Sequence, residues 1–241
     1  MPKFPQLFTI RDLNTFLEEI TNRGVINRST TAIAMAREDS RVFVPTRAYY
    51  EARDRLLKHA FVILEGPPEM GKTTIARLIA LSQLKEGWEA IECRRPKDFQ
   101  KTYKPDCKQV FLADDFFGRT EYEPARISKW QDELPYILRQ LNPNHWLVLT
   151  SRAHLLQMAK HDLDIPGHNA TFPHIGEVIV NAARLSRLEK ARILYRHAKV
   201  AQLPKATREV LKARAEQVVD HDQFTPLRIK NLVASLVVPA A

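Results

Sequence analysis

Gly66 and Gly71 enclose Pro67, Pro68, Glu69 and Met70, and Lys72, Thr73 and Thr74 follow at once. G-x-x-x-x-G-K-[ST] is the pattern of a loop that curls around a phosphate so that its backbone N–H groups point inward. The glycines allow backbone geometry that a Cβ hinders. A helix beginning near Lys72 aims its unpaired N–H groups and the positive end of its dipole at the same anion. In that arrangement Lys72 reaches the β- and γ-phosphates and Thr73 offers its hydroxyl to Mg²⁺. A second candidate set is the acidic pair Asp114-Asp115, some forty residues downstream, which follows the apolar run Gln109–Ala113. Asp114 is suited to holding Mg²⁺ through its water shell, and Asp115 to orienting or deprotonating an attacking water. The third is Arg152, whose planar and permanently charged group suits a γ-phosphate.

The elements around these residues fit that chemistry. Phe61-Val62-Ile63-Leu64 is an unbroken apolar run, as in a parallel strand buried on both faces. Ile75, Leu78 and Ile79 recur at helical spacing after the loop, and Gly87 marks a stop. The plainer alternative, a Gly/Pro turn between a core strand and a core helix, leaves the Lys-Thr pair and the later acidic pair without a shared purpose. Further strands are expected at Glu89–Cys93, Gln109–Ala113, His145–Leu149 and Ile175–Val180. A polar loop is expected from Arg94 to Lys108, a helix from Glu123 to Leu141 broken near Pro135, and another helix from His154 to His161. Strands alternating with helices imply a doubly wound parallel sheet, the three-layer α/β architecture of P-loop NTPases. Ligands of such sheets bind beyond the carboxyl ends of the strands, where Gly66, Asp114 and Arg152 all fall.

Residues 1–41 read as a separate N-terminal piece, an amphipathic helix over Ile10–Ile20 followed by a polar stretch: either a linker or the end of an upstream domain. Thr46 can cap a helix running to about Lys58. The nucleotide-binding unit is expected to span 42–180. Residues 181–241 carry no strand pattern and read as a small all-helical domain. Its helices are expected from the capping box Ser186-Arg187-Leu188-Glu189 to Lys199, from Pro204 to Val219, and from Thr225-Pro226 onward.

The chain has 241 residues and a formal charge of +9. Lys and Arg number 12 against 5 Asp and Glu from Asn181 to Ala241, so that +7 of the charge lies there. Such a region could meet nucleic acid, a nucleotide's phosphates, an acidic partner or only water. No apolar run approaches the ~20 residues needed to span a bilayer, and the N-terminus lacks the apolar stretch of a secretory signal. Cys93 and Cys107 are too few for a disulfide framework and too isolated for a zinc site, so a reducing, cytoplasmic setting is expected. His161, His168 and His174 lack a metal-ligand pattern and read as exposed loop residues.

The order of these motifs resembles the STAND class of signal-transduction P-loop ATPases, and within it the novel STAND NTPase type 3 domain. The resemblance runs over about 42–236. It rests on Phe43-Val44-Pro45-Thr46, on Leu64-Glu65-Gly66-Pro67-Pro68 through Lys72-Thr73-Thr74, and on Phe111 through Gly118. It continues with Leu149-Thr150-Ser151-Arg152, Glu189-Lys190 with Ile193 to His197, and Asp220-His221 through Phe224-Thr225-Pro226. The resemblance implies a switch held closed by ADP and opened by exchange for ATP, with Mg²⁺-dependent hydrolysis, ATP-dependent homo-oligomerisation, and effector and sensor domains or proteins in a larger assembly. Such proteins are associated with defence against phage. By the same resemblance Arg152 looks like the sensor-one arginine, and Pro226 like the proline that packs on adenine in a helical lid. Two departures stand out. Glu69 replaces a frequent glycine, which implies weaker phosphate binding, and the chain ends soon after the third lid helix, as in a fragment or a reduced member.

Two other readings compete. An AAA+-like ATPase acting on DNA draws on the basic C-terminal helices but calls for an intersubunit arginine finger and a polar Asn or Thr sensor, where this chain has Thr-Ser-Arg. A nucleotide-binding scaffold with little hydrolysis accounts for the loop alone. A small-molecule P-loop kinase lacks support, since nothing reads as a substrate-binding insert with an Arg-rich lid.

Overall fold

The computed structural model describes residues 30–118, 124–160 and 175–237. The helix expected over Ile10–Ile20 and the histidines His161, His168 and His174 lie outside the described residues. The sheet contains β1 (Phe61–Glu65), β2 (Glu89–Glu92), β3 (Gln109–Ala113), β4 (His145–Ser151) and β5 (Ile179–Asn181). Their order is β2-β3-β4-β1-β5 and every pairing is parallel. The phosphate-loop strand, β1, is therefore an interior strand, flanked by β4 at the centre of the sheet and by β5 at its edge. Register places Leu64 opposite Thr150 and Ala113 opposite Leu149, so the strand ends that carry the candidate residues lie side by side.

Strand side chains alternate between two apolar layers. Val62, Leu64, Val110, Leu112, Trp146 and Val148 face one layer, and Phe61, Ile63, Phe111, Leu147 and Leu149 the other. The first layer is covered by α1 (Thr30–Val42), α2 (Arg47–His59) and α3 (Lys72–Leu84). The second is covered by α4 (Pro96–Thr102), α5 (Pro124–Gln140), α6 (Ala153–Lys160) and the short α7 (Ile175–Val178). The expected three-layer α/β sandwich is the fold observed.

A third cluster joins α8 (Arg187–Val200), α9 (Lys205–Ala213), α10 (Ala215–Val219) and α11 (Pro226–Ser235). Ile193, Leu194, Leu203, Val219, Phe224, Ile229 and Val233 form its centre, with Val44 and Leu185 packed against it.

Five expectations for individual elements change. Residues Thr30–Val42 are not linker: they form α1, which lies along α3 and also touches α8. Its buried face is made of Ala32, Ala36 and Ser40, small residues that permit close packing, with Ile33 beside them. The expected polar loop after β2 contains α4, opened by Pro96 and by Asp98, whose carboxylate accepts hydrogen bonds from the Arg94 and Arg95 N–H groups. Helix α5 continues through Pro135, because Ile127, Trp130, Leu134, Ile137 and Leu138 bury one side of it and offset the missing backbone bond. The expected strand Ile175–Val180 is the helical turn α7 followed by a three-residue β5. The helix expected from Pro204 to Val219 divides at Arg214, which ends α9 and precedes α10.

Candidate functional site

The loop between β1 and α3 is built around backbone conformations that few residues tolerate. Gly71 has φ +81° and no other group near the position a Cβ would take, so its glycine answers a conformational need and not a lack of space. Glu69 carries φ +67°, left-handed although it has a side chain. Lys72 opens α3, is only 7% exposed, and donates to the carbonyls of Gly66 at 3.0 Å and Pro67 at 2.7 Å. Its ammonium thus closes the loop on itself. Burial pulls the Lys72 pKa down, as does Arg152, while Asp115 and Asp114 push it up; the net direction is downward.

Thr73 points the other way along the helix end. Its hydroxyl donates to Asp114 Oδ1 at 2.7 Å, and the Thr150 hydroxyl donates to the same oxygen at 2.7 Å. Thr150 Oγ1 also accepts the Asp115 N–H at 2.9 Å. One threonine at the end of β4 therefore fixes both members of the acidic pair. Asp115 itself has φ +46°, which turns the chain sharply after β3. Phe116 and Phe117, both buried with ring centroids 3.7 Å apart, anchor the far side of that turn.

These groups border a cleft of about 340 Å³, within the usual size range for small-ligand sites. Pro68, Glu69, Met70, Gly71, Lys72, Thr73, Thr74, Asp115, Arg152 and Pro226 all line it, so the structure brings these expected residues together. Gly66, Pro67 and Asp114 do not line it. The two loop residues lie beneath as acceptors for Lys72, and Asp114 sits behind Thr73.

Several lining residues are not among the expected site residues, although Phe43, Ile193 and His197 fall in stretches that carry the family resemblance. Asp39, Val42 and Phe43 come from the end of α1 and the segment after it, Ile193 and His197 from α8, and Lys230 from α11. Asp39 Oδ2 lies 3.5 Å from Thr74 Oγ1 and 3.8 Å from an Arg77 nitrogen. Burial raises the Asp39 pKa, against the opposing pull of Arg77 and Lys230. Burial and the nearby Lys230 lower that of His197. Regular i, i+4 spacing of Ile193 with His197 and of Pro226 with Lys230 was the available signal, since each pair shares one helix face.

The cleft lining is chemically mixed: Lys72, Thr73, Asp115 and Arg152 offer a cation, a hydroxyl, a carboxylate and a guanidinium, and Phe43, Val44, Leu185, Ile193, Pro226 and Leu227 offer apolar surface. A ligand with a polyanionic part and a flat, mostly apolar part suits both. Thr73 Oγ1 and Asp114 Oδ1, 2.7 Å apart, are hard oxygen donors of the type Mg²⁺ prefers, so the residues present fit that ion. Among the described residues, no helix is long and apolar enough to cross a membrane.

Comparison with known proteins gives a family and a set of solved folds. A family model described as Novel STAND NTPase 3 matches residues 43–200. No curated protein matches the chain significantly. A mutant of RuvB from Thermotoga maritima aligns over 77% of this chain and 61% of its own, with 17% identity and a TM-score of 0.47. PCH-2 from C. elegans aligns over 92% of this chain and 64% of its own, with 13% identity and a TM-score of 0.39. The chain thus spans under two thirds of the length of either solved chain.

Proposed function

The chain belongs to the Novel STAND NTPase 3 family, and on that premise we propose that it is an ATP/ADP switch domain with slow Mg²⁺-dependent ATP hydrolysis. The observation that carries this reading is the cleft itself. It joins a Lys-Thr phosphate loop, a carboxylate and an arginine at strand ends to the apolar face of a separate helical unit. Residues 42–180 are the nucleotide-binding domain in this reading and residues 181–241 its lid.

Lys72 exchanges the Gly66 and Pro67 carbonyls for phosphate oxygens when nucleotide enters. Gly71 and the N–H groups from Glu69 to Thr74 supply further donors. Thr73 and Asp114 hold Mg²⁺, which neutralises phosphate charge when bound. Asp115 orients a water and takes its proton as that water attacks the terminal phosphorus. Arg152 meets the charge that builds on the γ-phosphoryl oxygens, and the leaving group is ADP. Pro226, with Leu227 and Ile193, shields the base from water. Hydrolysis in this design serves to reset a state, so slow turnover suits it. Effector and sensor partners, ATP-dependent homo-oligomerisation and a role in defence against phage follow from the family character and belong to the same proposal.

A DNA-acting ATPase is the competing reading. It is disfavoured by Pro226, Leu227 and Lys230, which turn part of the basic helical unit toward the cleft. The deciding experiment is the nucleotide content of purified protein, identified by mass and chromatography, together with calorimetry on Lys72→Ala. We expect co-purified ADP or ATP, and a loss of about 2–4 kcal/mol in binding for the variant, the range for removing a charge-assisted partner in a desolvated site. A folded variant with unchanged affinity refutes the assignment.

A further inference from the structure

Glu69 is out of character for its place. It sits at the crest of a loop suited to anions, it is itself an anion, and its backbone has φ +67°, a conformation disfavoured for any residue with a Cβ. Its carboxylate is directed away from the loop's interior, onto the N-terminus of α11. Oε2 accepts the Thr225 hydroxyl at 3.0 Å and lies 3.5 Å from Arg228 Nε. The Glu69 carbonyl accepts the Leu227 N–H at 3.5 Å. Thr225 is the N-cap of α11, and its oxygen in turn accepts the Arg228 N–H at 3.2 Å. Because the Thr225 proton is committed to Glu69, its lone pair is left for the helix end. The loop carboxylate thus completes the cap of a lid helix 156 residues away in sequence. Arg228 is held on its other side by the carbonyl and side-chain oxygens of Gln223, so the charge facing Glu69 is fixed in place.

We infer that Glu69 is a positioning residue that docks the α11 N-terminus, and Pro226 with it, onto the phosphate loop and so sets how long nucleotide is retained. The inference rests on reading the cleft as a nucleotide site. Glu69 need not touch the nucleotide to do this. It acts through Thr225 and Arg228, and Pro226 and Leu227, which line the cleft, follow the cap residue directly. An acidic residue here weakens the loop's own pull on phosphate and replaces it with a mechanical hold on the lid.

Five proteins test this: wild type, Glu69→Gly, Glu69→Gln, Glu69→Arg, and Glu69→Arg combined with Arg228→Glu. Glycine relieves the left-handed backbone, so any loss of function it causes is not backbone damage. Two readouts are taken on the full chain. One is release of a fluorescent ADP analogue; the other is the rate of tryptic cleavage within Lys205–Ala213 without nucleotide. We expect Glu69→Gly to speed release about tenfold, the weight of one charge-assisted contact, and to speed cleavage. Glu69→Gln, which keeps an oxygen for Thr225, should fall between. The exchanged pair should release more slowly than Glu69→Arg alone. Unchanged release and cleavage in Glu69→Gly overturns the inference, as does tighter nucleotide retention in that variant. If no protein binds the analogue while cleavage still responds to Glu69, the docking role stands and the nucleotide reading fails.

Discussion

Two adjacent carboxylates just after β3 are set in different surroundings, which bears on the separate roles proposed for them. Asp114 Oδ1 accepts two hydroxyl hydrogen bonds, from Thr73 and Thr150, and does not itself line the cleft. Asp115 lines the cleft with Lys72 and Arg152, on a backbone turned to φ +46°. If the proposed roles hold, Asp115→Asn should slow steady-state ATP hydrolysis by about 10²–10⁴-fold, the usual weight of a general base, with Mg-ATP affinity largely kept. Asp114→Asn should instead weaken the Mg²⁺ dependence of binding. Phosphate-release kinetics beside calorimetry with and without Mg²⁺ separate the two outcomes, and wild-type turnover in both variants makes the pair a structural turn. The acidic pair was visible in sequence as carboxylates after an apolar run. Thr150 was not, because a threonine ending a strand has no pattern of its own; only the parallel register beside β3 brings its hydroxyl to Asp114. In sequence Glu69 is only a departure within the loop, since its partners lie more than a hundred and fifty residues away.

At the scale of elements, apolar continuity made the central strands legible, and the missed pieces share one cause. Helix α1 buries Ala32, Ala36 and Ser40 beside a single Ile33, so its packing face lacks the bulky residues that a periodic pattern needs. Helix α4 is short, with Phe99 as its one large apolar residue, and α9 and α10 are divided at an arginine that carries no stop signal. The capping box at Ser186, in contrast, was readable and does more than cap. Glu189 Oε2 accepts from the Ser186 N–H at 2.7 Å and the Ser186 hydroxyl at 2.8 Å, while its Oε1 accepts the N–H of Arg47 at the start of α2. One carboxylate thereby serves the first turns of a helix packed on the sheet and of a helix in the C-terminal cluster. Burial alone would raise the Glu189 pKa, but the hydrogen bonds from Arg47 and Ser186 outweigh it and hold the pKa below the usual glutamate range. A carboxylate depressed in the folded state adds stability above its unfolded pKa and loses it as pH falls through the folded value. Glu189→Gln should therefore cost about 1–2 kcal/mol at neutral pH, part of the worth of hydrogen bonds to a charged group. In urea titrations the gap to wild type should narrow below the ordinary carboxylate pKa. A gap that persists unchanged into acid would show that packing, not the charge, is what Glu189 contributes.

Across the whole molecule, the charge excess and the helical unit coincide, and the arrangement of the cleft gives that charge a direction. Lys230 lines the cleft, and Arg228 faces Glu69 on its rim, so two of the basic residues look inward at the phosphate loop. Others are spent on neighbours: Arg187 reaches Asp220 at 2.8 Å, and Lys190 lies over the Phe224 ring at 5.3 Å. Helix α9 has no buried residue, which leaves its Lys205, Arg208 and Lys212 to water. A DNA-binding face needs many cations presented together, and single-strand binding also needs stacked aromatics. Here the cations are divided among cleft, internal pairs and an outer helix. If the helical unit is a nucleotide-dependent lid, ADP should slow proteolysis across residues 186–236, and Pro226→Ala should remove much of that protection, because Pro226 opens α11 and lines the cleft. Duplex DNA should bind weakly, equally with and without nucleotide, and steeply less as salt rises. Limited proteolysis with ADP, beside DNA titrations at two salt concentrations, measures both halves on one preparation. DNA binding that persists at physiological salt, with proteolysis indifferent to ADP, would turn the basic helices outward and make the DNA-acting ATPase the better account of this chain.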